Sequence, residues 1–161
     1  MVKEDIEIMA PVGSYESLQA AFQAGADAVY FGIGALNMRS KSTYNFTLKD
    51  LREIVTRCQT KGVRTYLTVN TVLYDQELEE MRQIVDAAKE QGIDAIIASD
   101  LSVIQYAFSR GMEIHVSTQL NISNIESLRF FAQFADVMVL ARELTLEQVA
   151  KIVEQIREDD I

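Results

Sequence analysis

Polar residues of this chain gather just after short apolar runs, and several could do chemistry. His115 is the only histidine. In Glu113-Ile-His-Val-Ser-Thr-Gln, strand alternation sends Ile114 and Val116 one way and His115, Ser117 and Gln119 the other. The same rule puts Tyr66, Thr68 and Asn70 on one face, opposite Leu67 and Val69. Met138, Leu140 and Arg142 share a face of the last run. An imidazole among hydroxyls and amides could shuttle a proton or bind a ligand; it could equally be an interior histidine satisfied by its neighbours.

Arg142 could hold a carboxylate or phosphate in a two-pronged grip, or pair internally with Glu143 or Asp100. Asp100 could be a general base or the N-cap of the helix that follows. Asn37, Arg39 and Asn45 sit on a long loop that could close over a ligand. The catalytic candidates are therefore His115, Asp100 and Glu143; the binding candidates are Asn37, Arg39, Asn70, Gln119, Asn121 and Arg142. No metal motif of the H-E-x-x-H or C-x-x-C kind occurs. Cys58 falls on the apolar stripe of a helix, which reads as a core residue and not a nucleophile.

Such side chains need elements to position them, and the pattern repeats. Six apolar, β-prone runs are each followed by a polar loop and a segment of helical period. The strands are expected at Ile6–Ala10, Ala28–Gly32, Arg64–Val69, Ala95–Ala98, Glu113–Ser117 and Val137–Leu140. The helices are expected at Tyr15–Ala24, Leu48–Lys61, Gln76–Gln91, Leu101–Ser109, Asn124–Phe134 and Leu146–Arg157. Leu48, Leu51, Ile54, Val55 and Cys58 form one apolar stripe, as do Leu78, Met81, Val85 and Ala88. Ser14 caps the first helix, and Ser123–Glu126 and Thr145–Gln148 read as capping boxes. Gly25, Gly62, Gly92 and Gly111 stand where helices end. Three helix-to-strand joins resemble one another: Gly25-Ala-Asp-Ala-Val, Gly92-Ile-Asp-Ala-Ile and Ala135-Asp-Val-Met.

Strict alternation implies parallel strands with right-handed crossovers, in a barrel or an open doubly wound sheet. The even units, about 27 residues each, and the polar residues after the strands favour a barrel. Gly32-Ile-Gly34-Ala-Leu-Asn37 lacks the third glycine of a dinucleotide fingerprint, so it reads as a loop. The expected fold is α/β, a partial TIM barrel with six of eight units, forming a single domain over residues 1–161. Its first and last strands would carry open edges through which copies of the chain could pair.

With 48% hydrophobic and 24% charged residues, the composition is that of a globular domain. The net charge of −9 argues against nucleic acid as a partner. Apolar runs are too short for membrane helices, no leader is evident, and cytoplasm is the default compartment.

Ala10-Pro-Val-Gly-Ser14, Gly25–Gly32, Asn37-Met-Arg39, Asn45-Phe46, Asn70-Thr71, His115-Val-Ser-Thr-Gln-Leu-Asn121 and Leu140-Ala-Arg-Glu-Leu-Thr145 resemble, in order, the N-terminal part of the peptidase U32 or collagenase-like protease family. The resemblance implies a TIM-barrel-like catalytic domain acting on a small-molecule or peptide substrate. Its name implies a hydrolase. Some branches instead hydroxylate RNA bases or a quinone precursor with an iron–sulfur cluster, and prephenate is the oxygen source implied in the RNA case. The cluster's cysteines lie downstream of Ala-Arg-Glu-Leu, so none of that cofactor is expected in this chain. The chain alone is expected to be inactive, with a short non-catalytic assembly module as the alternative.

Overall fold

The computed structural model describes residues 6–38 and 46–159. Six strands alternate with six helices: β1 Met9–Pro11, α1 Tyr15–Gln23, β2 Ala28–Gly32, α2 Leu51–Lys61, β3 Arg64–Val69, α3 Leu78–Gln91, β4 Ala95–Ala98, α4 Leu101–Ser109, β5 Glu113–Val116, α5 Ile125–Phe131, β6 Val137–Met138 and α6 Leu146–Asp159. All neighbouring strands are parallel, and the sheet runs β1-β2-β3-β4-β5-β6. A doubly wound sheet reverses its order partway; this one never does, which is the topology of a TIM barrel. Residues at the ends of β1 and β6 line one common cleft, so the sheet curls round toward its own edges.

Two cores follow from strand alternation. On the convex face Val29, Phe31, Leu67, Val69, Ile96, Ala98, Ile114 and Val116 are buried against Leu18, Ile54, Cys58, Val85 and Ile104 of the helices. On the concave face Ala28, Tyr66, Ala95 and Ile97 pack together with Tyr30 against them. The inward set therefore includes Thr68 of β3 and His115 of β5, as alternation predicts.

The helix boundaries have local causes. The Ser14 hydroxyl accepts from Ser17 N–H at 3.2 Å, and Ser17 Oγ accepts from Ser14 N–H at 3.0 Å, a reciprocal cap for α1. Thr145 and Gln148 make the same exchange before α6. For α5 the cap is Asn124, which accepts from Ser127 N–H at 2.9 Å, one residue beyond the expected Ser123. Gly62 and Gly92 end α2 and α3 at φ of 66° and 79°, where an L side chain would be strained.

The three similar joins do one job. Asp27, Asp94 and Asp136 each accept the backbone N–H of a residue at or just before the start of the preceding strand (Ile8, Thr65 and Ile114, at 2.8, 2.7 and 2.9 Å). Each also donates its own N–H to that residue's carbonyl. At the other two joins the equivalent residues are Arg64 and Glu113, which pair with each other at 2.8 Å.

Two edge strands are shorter than expected. β1 begins at Met9, where its pairing with Ala28 begins. β6 stops at Met138 because the chain turns toward the segment after β5: Leu140 bridges to Ile122, and Ala141 N–H donates to the Ile122 carbonyl at 2.8 Å.

Candidate functional site

At the C-terminal ends of the strands lies a cleft of about 460 Å³. Its polar lining is Thr68 and Asn70 from the end of β3, Ser117, Thr118 and Gln119 after β5, and Arg142 after β6; Met9, Tyr30, Met38, Ile97 and Val139 supply most of the rest. Each polar group arrives by a structural rule. Thr68 and Asn70 are two apart on an inward face, and Ser117 continues the face of His115. Arg142 does not obey alternation from Met138, which packs against the helices. Leu140 still packs with Met138 against the convex core, and the turn at Arg142 and Glu143 breaks the period and brings Arg142 to the cleft lining beside Val139.

Several of these groups are already committed. Thr68 Oγ1 donates to the Phe31 carbonyl at 3.0 Å. Asn70 Oδ1 accepts Met38 N–H at 3.2 Å, while Asn70 Nδ2 stands 3.5 Å from Ser117 Oγ. Ser117 in turn bonds to the Gln119 side chain. Arg142 is exposed and, among the described residues, pairs with no carboxylate. None of the described residues lining the cleft is a carboxylate, histidine, lysine or cysteine.

The candidate residues thus separate. Asn70, Gln119 and Arg142 meet in the cleft. His115 lies below it: its Nε2 is 2.8 Å from Glu113 Oε1, and its ring meets Tyr66 edge-on at 4.6 Å. Burial pushes the Glu113 carboxyl up, but hydrogen bonds from His115 and Arg64 and the Arg64 charge outweigh it and hold it below the usual carboxylate range. The Tyr66 hydroxyl donates to Glu7, and burial and that carboxylate raise its pKa. Asp100 caps α4, accepting from Ser102 N–H at 2.9 Å, and also takes Leu73 N–H at 3.1 Å. Burial opposes its ionisation, yet these bonds keep its pKa low, so it is a poor base.

Glu143 is exposed outside the cleft. Asn121, at φ 50°, forms the left-handed turn after β5. Asn37 is fully buried, its amide donating to the Ile33 and Gly34 carbonyls at 3.2 Å each. Arg39 and Asn45 lie outside the described residues. Sequence reasoning missed Tyr30, Met38 and Ile97. Tyr30 was readable, since it alternates with the outward Val29 and Phe31. Ile97 was not, because Ala95–Ala98 is apolar on both faces.

Cys58 is packed among the convex-face residues, away from the cleft. Burial, reinforced by Asp94, pushes its thiol up to about 11.

The model of peptidase family U32 matches residues 13–160. A protein named collagenase from Porphyromonas gingivalis is 60% identical over 157 residues, covering 98% of this chain and 38% of that protein. A 23S rRNA 5-hydroxycytidine synthase from Escherichia coli is 32% identical over 148 residues, covering 91% of this chain and 22% of that enzyme. A solved U32 peptidase structure superposes with a TM-score of 0.75 at 14% identity, over 92% of this chain and 64% of that one, a likeness of fold. The chain thus spans well under half the length of these two sequence relatives.

Proposed function

The chain belongs to peptidase family U32, and we propose that its cleft is the carboxylate-anchoring part of a U32 enzyme's substrate site. The observation that carries this reading is Arg142: a guanidinium free of carboxylate partners among the described residues, standing over a cleft of hydroxyls and amides at the C-terminal ends of parallel strands. Barrel enzymes place their substrates there. About 460 Å³ suits a small molecule or one side chain of a peptide.

The same cleft argues against turnover by these residues alone. Ser117 and Thr118 offer hydroxyls, but among the described residues lining the cleft no base stands beside them, and His115 is engaged with Glu113. Acid–base or redox groups must come from elsewhere in the working enzyme. That favours the hydroxylase type of relative over a serine-type peptidase. The charge of −9 argues that any RNA substrate is gripped by other parts of the protein.

Malonate is a suitable probe. Arg142→Ala should weaken its binding about tenfold or more, as expected for a lost charge-assisted contact. Equal affinity of the variant and the parent, by calorimetry, would refute the reading.

A second reading rests on the open edges. Val137 and Val139 near the β6 edge, and Ile8 and Met9 at the β1 edge, are 38–50% exposed. Such edges would let copies pair as a non-catalytic assembly. Sedimentation decides this: a concentration-dependent dimer supports it, and a monomer at high concentration rejects it.

A further inference from the structure

Asn37 and Asn70 are linked through one backbone amide. Asn37 is fully buried, and its carboxamide N–H groups donate to the Ile33 and Gly34 carbonyls. It lies against Gly32 so closely that a Cβ there would stand 2.2–2.5 Å from the amide atoms. The pair fits only because residue 32 is glycine. The next residue, Met38, points its N–H at Asn70 Oδ1, 3.2 Å away. With the Met38 N–H as its partner, the Asn70 amide presents its oxygen to Met38 and its nitrogen away from it. Its oxygen is occupied, and its Nδ2 hydrogens turn toward Ser117 and the cleft.

We propose that Asn37 is a positioning residue that sets the hydrogen-bond polarity of the cleft: through Met38 it holds Asn70 as a donor, so the ligand group that meets Asn70 is an acceptor oxygen. The proposal rests on the carboxylate-anchoring reading and sharpens it. Arg142 and Asn70 then present donors to the cleft, and a ligand that offers N–H to Asn70 is disfavoured, because a donor facing a donor in the half-buried site loses its hydrogen bond.

The test uses the full chain, with malonate as an acceptor-only probe and malonamide as a neutral analogue bearing N–H groups. Calorimetry gives the ratio of their affinities, and NMR follows the Asn70 side-chain amide. Asn37→Ala releases the Met38 clamp and lets Asn70 rotate. The malonate-to-malonamide ratio should fall about fivefold to tenfold, with a shifted Asn70 amide signal. A merely structural role would weaken both probes alike and leave the ratio unchanged. Asn70→Asp covers the case in which Asn37→Ala does not fold. It keeps an acceptor for Met38 and puts a carboxylate in place of the donor, so malonate affinity should drop at least about tenfold. If Arg142→Ala weakens malonate but both asparagine variants keep the parent ratio, this proposal falls and the anchoring reading stands. If Arg142→Ala has no effect, or the parent binds no malonate, both fall.

Discussion

The two ends of the barrel interior are built from different chemistry. At the N-terminal end of the strands, ionisable groups are linked: Arg64 pairs with Glu113, Glu113 with His115, Tyr66 with Glu7, and three aspartates clamp strand starts. At the C-terminal end, the described lining is neutral hydroxyls and amides, apolar side chains and Arg142, a cation that pairs with no carboxylate among the described residues. A chain that ties up its charges at one end holds the sheet there. A cation left unpaired at the other end is available to a ligand. On the proposed reading the contrast separates stability from recognition within about four residues of a strand: in β3 Arg64 and Tyr66 belong to the lower set, and Thr68 and Asn70 to the upper.

This division can be broken by substitution. Tyr66 is fully buried under the cleft. Tyr66→Ala should cost about 3–5 kcal/mol, read from denaturant unfolding. A loss below about 1 kcal/mol would mean that the lower cluster does not hold the sheet. The clamps come next. Asp94 accepts from both Thr65 N–H and Thr65 Oγ1, at 2.7 and 2.8 Å. Asp94→Ala should therefore cost about 1–3 kcal/mol, with malonate affinity of the folded protein unchanged. A variant that keeps its stability but loses affinity would reverse the assignment of the two ends.

Acid gives a smaller effect. The folded state holds Glu113 below the usual carboxylate range. Its contribution is complete above the range where an unfolded glutamate titrates, and it is lost as pH falls through the depressed folded value. Glu113→Gln should therefore flatten the acid limb of the stability–pH curve. An unchanged limb would show that the pair with Arg64 and His115 contributes nothing.

Much of the architecture was legible because periodicity is set locally. The strands Ala28–Gly32, Arg64–Val69 and Ala95–Ala98 and the helix Leu101–Ser109 have the expected bounds. Alternation also placed His115, Ser117, Thr68 and Asn70 on the inner face. It could not tell at which height along that face a side chain finds its partner. His115 and Ser117 share a face, yet one turns down to Glu113 and the other lines the cleft. The sequence likewise marked the three similar joins, but not that their aspartates clamp the preceding strand. Arg142 was a candidate for the Met138–Leu140 face, but the turn at Arg142 and Glu143, just after Leu140 bridges to Ile122, carries it into the cleft instead.

The central claim is that the lower end stabilises and the upper end binds. The malonate-induced rise in melting temperature, measured for the parent, Tyr66→Phe and Arg142→Ala, tests it most directly. The account predicts that Tyr66→Phe melts lower yet keeps the full rise, while Arg142→Ala melts like the parent without malonate and loses the rise. A Tyr66→Phe variant that loses the rise, or an Arg142→Ala variant that keeps it, would contradict the account.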